Sequence, residues 1–420
     1  MTHRTALLGT LIAAWWAEPL ISHADPFETL PSSSTVTRSD GSEQVYLPAA
    51  PNSAQNPALS PDGHILFFTI FHNGYNGGAA GIYTMPFEGG TVTTVLNQAG
   101  QDAVDEPGAC WNGPTGRITF SYDGVARDEI WTSNPTGGDL FQVTHSAAPS
   151  RAFEPSFSPN GKMIVFEHNN SAGNGTIWKI GADGLGATRL SAGPLGGFDD
   201  RQPNWSPAGN LILFQRRPLT RDHIVIVVMS PTGQNLKAIT SSGTDTDAGW
   251  SPDGEFICYS SAQANLPEAH IFAVSKAGGP PYQVTHNPTV EDGAPSWSPD
   301  GRWIYYESHT TAGSNSRSGI WRIAVARCRS LTLSPATVKG GTGATGTVAI
   351  NAPAPNGGVI VTLRSGNPTV ASVPPSVTIA DGLTSATFPV STSVVSMATN
   401  FRIFGTSAGS TKSSVLTVNP

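Results

Sequence analysis

The sequence predicts an all-β chain: a six-bladed β-propeller over residues 41–328, closed by its own N-terminal strand, followed by a small β-sandwich over residues 330–420. Three observations carry this reading. A motif recurs six times at intervals of about 47 residues, the sixth repeat lacks its last strand while an orphan strand precedes the first, and the composition changes abruptly after Cys328. Only 13% of residues are charged, and 46 glycines with 34 prolines mark a chain broken by many turns, which favours short strands over helices.

The motif P-x-[W/F]-S-P-x-G appears as PALSPDG, PSFSPNG, PNWSPAG and PSWSPDG, with AGWSPDG and a looser copy over 111–116. Its glycines are Gly63, Gly116, Gly161, Gly209, Gly254 and Gly301. An aliphatic and an aromatic residue two apart follow each one: Leu66/Phe68, Ile118/Phe120, Ile164/Phe166, Ile212/Phe214, Ile257/Tyr259 and Ile304/Tyr306. A period of two puts each pair on one face of a strand. Because the residues between them (Phe67, Val165, Leu213, Tyr305) are also apolar, these strands need cover on both faces, as stacked blades provide. A second series, Ile82, Ile130, Ile177, Ile224, Ile271 and Ile320, marks a further strand in each unit. A Gly turn and a short strand ending in motifs such as QVT complete four strands, A to D. One such unit cannot bury its own apolar faces, so the units must stack.

After Ile320 no fourth strand follows. The stretch Gly41 to Leu47 (GSEQVYL) resembles the D strands around Phe141 and Tyr282 and is expected to complete blade six, leaving no open sheet edge. From Ser330 onward, alternating runs such as GTVAIN, GVIVTL and SVLTVN between Asn-Gly, Asp-Gly and Pro turns predict a sandwich. It resembles the immunoglobulin-like modules at the C-termini of secreted bacterial proteins.

Residues 1–24 read as a signal peptide. Arg4 supplies the positive region, residues 6–17 form an uncharged stretch too short to span a bilayer, and Ser22 and Ala24 give a small-x-small cleavage pattern, leaving 25–40 as an extension. The mature protein is expected to be exported, periplasmic or extracellular, monomeric and without membrane insertion. A net charge of −7 and the absence of any basic run exclude nucleic acid as a partner. Cys110, Cys258 and Cys328 lack metal or redox spacing and read as small buried side chains.

The P-x-W-S-P-D-G repeats resemble the WD-like repeats of TolB-like propellers, over residues 41–328. The N-terminal α/β domain of TolB has no counterpart in the barely 17 residues between the expected cleavage site and Gly41, so the resemblance is to the propeller alone. It implies a non-catalytic scaffold that holds a protein or peptide partner of the cell envelope and needs no cofactor. The alternative, implied by similar oligogalacturonate lyases, is a metal-dependent carbohydrate-active enzyme using histidines on the propeller.

Catalytic motifs fail. Gly405-Thr406-Ser407-Ala408-Gly409 matches G-x-S-x-G, but no histidine follows His309 to serve it. Asp245 to Asp247 reads as a polar loop rather than a calcium site. The candidate site is a set of carboxylates just before strand A, at Glu106, Glu154, Asp200, Asp247 and Asp292, expected near one mouth of the channel. His72, His168 and His309 at the ends of strand B are the candidate metal ligands. His223 and His270, expected to begin strand C, and His145 and His286 after strand D, fall on the same side, whereas His64 lies opposite. Such a mouth has a negative field suited to a basic peptide segment or a metal ion.

Overall fold

The computed structural model describes residues 36–98, 100–104, 110–124, 127–263, 266–310, 317–355 and 357–420. Six antiparallel sheets follow one another along the chain. Blade one is Ser53–Leu59, Ile65–Phe71, Ala80–Pro86 and Thr93–Leu96. Blade three (Arg151–Phe157, Met163–Asn169, Gly175–Gly181, Thr188–Arg189), blade four (Phe198–Trp205, Ile212–Pro218, Val225–Met229, Lys237–Ala238) and blade five (Asp245–Trp250, Phe256–Ser261, His270–Ser275, Tyr282–Gln283) repeat the A-B-C-D order. Blade two uses Ala103–Val104, Arg117–Tyr122, Glu129–Ser133 and Phe141–Gln142, with Trp111–Asn112 added beside Arg117–Tyr122.

Blade six contributes Val290–Trp297, Trp303–Thr310 and Gly319–Ala324, and its fourth strand is Glu43–Tyr46. The pairing is antiparallel, with Glu43 opposite Arg322 and Tyr46 opposite Ile320. Strand A of blade one packs on blade six, so the ring closes where the chain begins. Val45, Tyr46, Phe68, Tyr83, Tyr305 and Ile320 form one buried cluster across this seam. On the other face of blade one, Phe67 and Ile82 pack with Ile118 and Phe120 of blade two. Strand B is therefore apolar on both faces because each face meets a different blade.

The repeated S-P-D-G is a turn with its own chemistry. Ser60 Oγ donates to Asp62 Oδ1 at 2.6 Å and accepts the Ile65 N–H, while the His64 N–H donates to the same Asp62 oxygen. Gly63 sits at φ 76°, a left-handed value that glycine adopts without strain. Ser251 with Asp253 and Ser298 with Asp300 repeat the arrangement.

The C-terminal strands form a two-layered sandwich. One sheet holds Cys328–Ser334, Gly343–Ile350, Ser385–Thr392 and Ala371–Ser372; the other holds Thr337–Lys339, Ser410–Asn419, Thr399–Ser407, Val359–Ser365 and Ser376–Ile379. Leu331, Val348 and Phe388 from the first layer meet Val361, Ile403 and Leu416 from the second in one core. Cys328, the last residue of the expected propeller, is thus the first residue of a sandwich strand. Gly405 to Gly409 spans a hairpin, not a strand-to-helix turn, and Ser407 Oγ donates to the Ala326 carbonyl.

Candidate functional site

The first proline of the motif lies inside strand A, where a proline would normally cost a ladder hydrogen bond. A β-bulge absorbs it. Pairing of strands A and B slips between Gln55 and Ala58, Phe153 and Ser156, Arg201 and Asn204, Thr246 and Gly249, and Gly293 and Ser296. The residues at the slips, Asn56, Glu154, Gln202, Asp247 and Ala294, adopt φ values of 52°, 56°, 51°, 53° and 45°. Left-handed backbone is rare outside glycine, so something must hold each one.

The preceding blade does. The bulge N–H of Glu154 donates to Ser121 Oγ of blade two (2.9 Å), that of Gln202 to Glu154 Oε2 of blade three (2.9 Å), and that of Asp247 to Gln202 Oε1 of blade four (3.1 Å). Asp247 of blade five accepts the Ala294 N–H, and Glu307 Oε2 of blade six accepts the Asn56 N–H at 3.0 Å. The result is a belt of carboxylate, amide and hydroxyl side chains passed from blade to blade on the strand-A entrance side.

Two of the sequence-predicted carboxylates, Glu154 and Asp247, are members of this belt. Asp200 and Asp292 sit two residues earlier in their strands, both fully buried: Asp200 takes a two-point ion pair from Arg216 (2.6 and 2.9 Å), and Asp292 lies 3.4 Å from both Arg38 Nη1 and His270 Nδ1. The sequence mixed two positions of the repeat. Glu106 lies outside the described residues. Asp245 to Asp247 belongs to strand A of blade five rather than to a loop, because the bulge lets pairing with Phe256–Ser261 extend through Asp245. Glu154, Asp200, Asp247 and Asp292 therefore stand within strand A, not before it.

Sequence reasoning missed Glu167 and Glu307, which lie in strand B inside the apolar runs IVFEHN and IYYESH. An acid in an otherwise apolar strand was the available signal. Glu307 is buried, accepts Tyr75 Oη–H at 2.6 Å and the Asn56 N–H, and has its pKa pushed from an ordinary 4.5 up to about 7, foremost by burial. Burial also raises the Glu167 carboxyl, against a hydrogen bond with Glu154 and the nearby Arg201 guanidinium, which lower it. Burial likewise raises the Asp247 carboxyl.

The candidate metal ligands are distributed over three blades. His72 follows strand B of blade one and meets Tyr83 Oη at 3.4 Å; His168, in blade three, lies tilted against Trp178; His309, in blade six, stacks on Tyr75 with ring centroids 4.2 Å apart. Burial holds His168 and His309 below the usual histidine pKa. Among the described residues no group of three or more His, Cys, Asp or Glu side chains is placed to hold a metal ion. All three thiols are buried, and burial pushes the Cys258 thiol up to about 12. His223 and His270 stand before and at the start of strand C, His145 and His286 follow strand D, and His64 lies in an A-to-B turn.

The opposite end of strand A has a different character. A cavity of about 350 Å³ there is bounded by residues from all six blades, including Trp111, Phe157, Trp205, Trp250 and Trp297. The aromatic position of the motif thus lines one mouth, and the residue before the motif's first proline the other.

The family profile described as TolB beta propeller domain matches residues 33–278. The chain belongs to this family. Over 47 residues, the TolB-family chain is 38% identical to the Tol-Pal system protein TolB of Nitratidesulfovibrio vulgaris, a match over 11% of this chain and 10% of that protein. It therefore spans about a tenth of the length of the curated relative it matches. Among solved structures, TolB from Acinetobacter baumannii is similar at 17% identity over 65% of this chain and 63% of that one, with a TM-score of 0.46. An oligogalacturonate lyase in complex with manganese is similar at 12% identity over 71% and 95% of the two chains, also with a TM-score of 0.46. Among the described residues no helix of this TolB-family chain is long and apolar enough to cross a membrane.

Proposed function

We propose that this TolB-family propeller is an exported, non-catalytic scaffold that holds a protein or peptide segment of the cell envelope at the belt-lined mouth of its channel. One observation carries the reading: five blades present a left-handed bulge at the same level, and the side chains that brace them are hydrogen-bonding groups (Glu154, Gln202, Asp247, Glu307). Holding strained backbone in register costs stability, and pre-organised polar groups at a channel mouth are what offsets the ordering cost of a bound chain. The set contains acceptors and donors and no nucleophile paired with a base, which suits recognition rather than bond breaking. The C-terminal sandwich, of immunoglobulin-like character, serves as a spacer on the opposite side. The 1–24 segment directs export and is removed near Asp25.

Selection of peptides from a displayed random library on the immobilised mature protein tests this. Selected peptides bind saturably to the wild-type protein and at least tenfold more weakly to Glu154→Gln and Asp247→Asn variants that keep the wild-type melting temperature. Peptides that bind all three proteins equally overturn the assignment of the mouth.

A further inference from the structure

The B-to-C connection of blade one, residues 72–79, is bent by its own sequence. Its tip is a tight turn, Gly74-Tyr75-Asn76-Gly77, closed by the Gly77 N–H donating to the Gly74 carbonyl at 3.2 Å. Asn76, at the third position, takes φ 51°, the left-handed value that a type II turn demands there and that Asn tolerates. Gly77 and Gly78 cannot carry a side chain, because a Cβ would lie 2.2 Å from the Asn73 carbonyl oxygen at the first and 2.8 Å from Asn73 Cβ at the second. The Gly74 N–H, donating to the Pro51 carbonyl at 2.7 Å, anchors the turn beside the start of strand A.

So bent, the turn reaches the belt. Tyr75 Oη–H donates to Glu307 Oε1 of blade six at 2.6 Å, its ring stacks on His309 with centroids 4.2 Å apart, and the Asn76 N–H donates to Gln55 Oε1 at 3.2 Å. Glu307 is the group that braces the Asn56 bulge, and Gln55 precedes that bulge in strand A of blade one. The Glu307 charge, burial, and the carboxylates Asp247 and Glu291 all raise the Tyr75 phenol, so it stays a donor. The corresponding connections of blades three and four remain exposed over 170–173 and 219–222.

The tip is thus a short stretch of polypeptide already seated at the mouth. A side-chain donor sits on a belt carboxyl, a backbone N–H on an amide oxygen, and a ring on a histidine face. Withdrawing the turn keeps the Asn56 N–H on Glu307 Oε2 but uncovers two acceptors, Glu307 Oε1 and Gln55 Oε1, together with one face of His309. An incoming segment satisfies all three with a flat ring that carries a donor at its far end and a backbone N–H beside it. Tyrosine meets this demand, whereas phenylalanine leaves the buried carboxyl without its donor and tryptophan carries its N–H at the side of the ring.

We infer that the Tyr75 turn is an internal occupant of the channel mouth, and that the partner segment displaces it by placing a tyrosine of its own on Glu307 and His309. This rests on the peptide-binding reading of the mouth and adds the side chain the partner carries and the loop it moves. When occupant and partner compete for one site, apparent affinity is reduced by the fraction of molecules whose turn is withdrawn, so removing Tyr75 strengthens partner binding.

The probe is the turn itself as a free peptide, Ac-Gly-Tyr-Asn-Gly-NH2, titrated by calorimetry into the mature protein and its Tyr75→Ala variant. The peptide binds the variant saturably and at least tenfold more tightly than it binds the wild-type protein. Ac-Gly-Phe-Asn-Gly-NH2 and Ac-Gly-Arg-Asn-Gly-NH2 each bind the variant at least tenfold more weakly. Tyr75→Phe, which keeps the ring and gives up the Glu307 bond, falls between wild type and Tyr75→Ala, and the melting temperatures of both variants confirm folding. Equal binding to wild type and Tyr75→Ala, a phenylalanine or arginine peptide that matches the tyrosine one, or p-cresol alone binding as tightly as the peptide overturns the inference. Library-selected peptides that depend on Glu154 and Asp247 but bind wild type and Tyr75→Ala equally remove the internal occupant and leave the mouth intact.

Discussion

Gln202 holds Asp247 of the next blade at two points, donating from Nε2 to Asp247 Oδ1 at 2.7 Å and accepting the Asp247 N–H on Oε1 at 3.1 Å. The second bond braces a residue whose φ of 53° would otherwise be strained. Gln202→Ala removes both bonds and leaves a bulge N–H without its acceptor, so the variant loses about 1–3 kcal/mol of stability, measured by chemical denaturation. Gln202→Glu fares no better, because it sets a second carboxylate against Asp247.

Glu307 makes stability depend on pH. Its pKa is raised in the folded state, from an ordinary 4.5 to about 7, so its contribution is fully present below about 4.5 and is lost as pH rises through about 7. The loss is roughly 3 kcal/mol across that window, and Glu307→Gln flattens this part of the profile. Tyr75→Phe takes a donor from the ionised form. It therefore costs more at pH 8 than at pH 5, the reverse of what loss of its stacking on His309 alone would give.

The ring seam has its own test. Glu43–Tyr46 supplies the outer strand of blade six, and Val45 and Tyr46 are buried at 5% and 1% exposure against Phe68, Tyr305 and Ile320. Arg38, stacked 3.5 Å over Trp321 and bonded to Ser308 Oγ at 2.9 Å, fastens the segment further. A chain beginning at Ala54 loses these contacts and exposes a sheet edge, and its melting temperature falls by more than about 10 °C in differential scanning calorimetry. Unchanged melting contradicts the closure.

The scaffold and enzyme readings differ in metal content. The separate aromatic settings of His72, His168 and His309 predict less than stoichiometric manganese, calcium or zinc in the purified protein by mass spectrometry, unaltered by His168→Ala or His309→Ala. One equivalent of metal lost on either substitution supports a metal-dependent enzyme instead.

Much of the architecture was legible because propeller blades are repeats. The glycine of each S-P-x-G turn and the aliphatic-aromatic pair after it recur where strands A and B meet, and the missing D strand pointed to the N-terminal partner now seen opposite Gly319–Ala324. The site was less legible. A bulge changes which face each residue of strand A presents, so counting back from the motif could not separate Asp200, tied to Arg216, from Asp247, in the belt. Glu167 and Glu307 were hidden by apolar neighbours, and their roles depend on groups from adjacent blades that no sequence spacing encodes. Tyr75 meets Glu307 across 232 positions of sequence, a contact that only the closed ring reveals.

The most direct measurement is photo-cross-linking of a library-selected peptide carrying a benzophenone, with the attachment sites read by mass spectrometry. Cross-links concentrated on the starts of the A strands, around Asn56, Glu154, Gln202 and Asp247, and on the Tyr75 loop are the predicted result. Cross-links at the Trp205–Trp250–Trp297 mouth or on the C-terminal sandwich would contradict it.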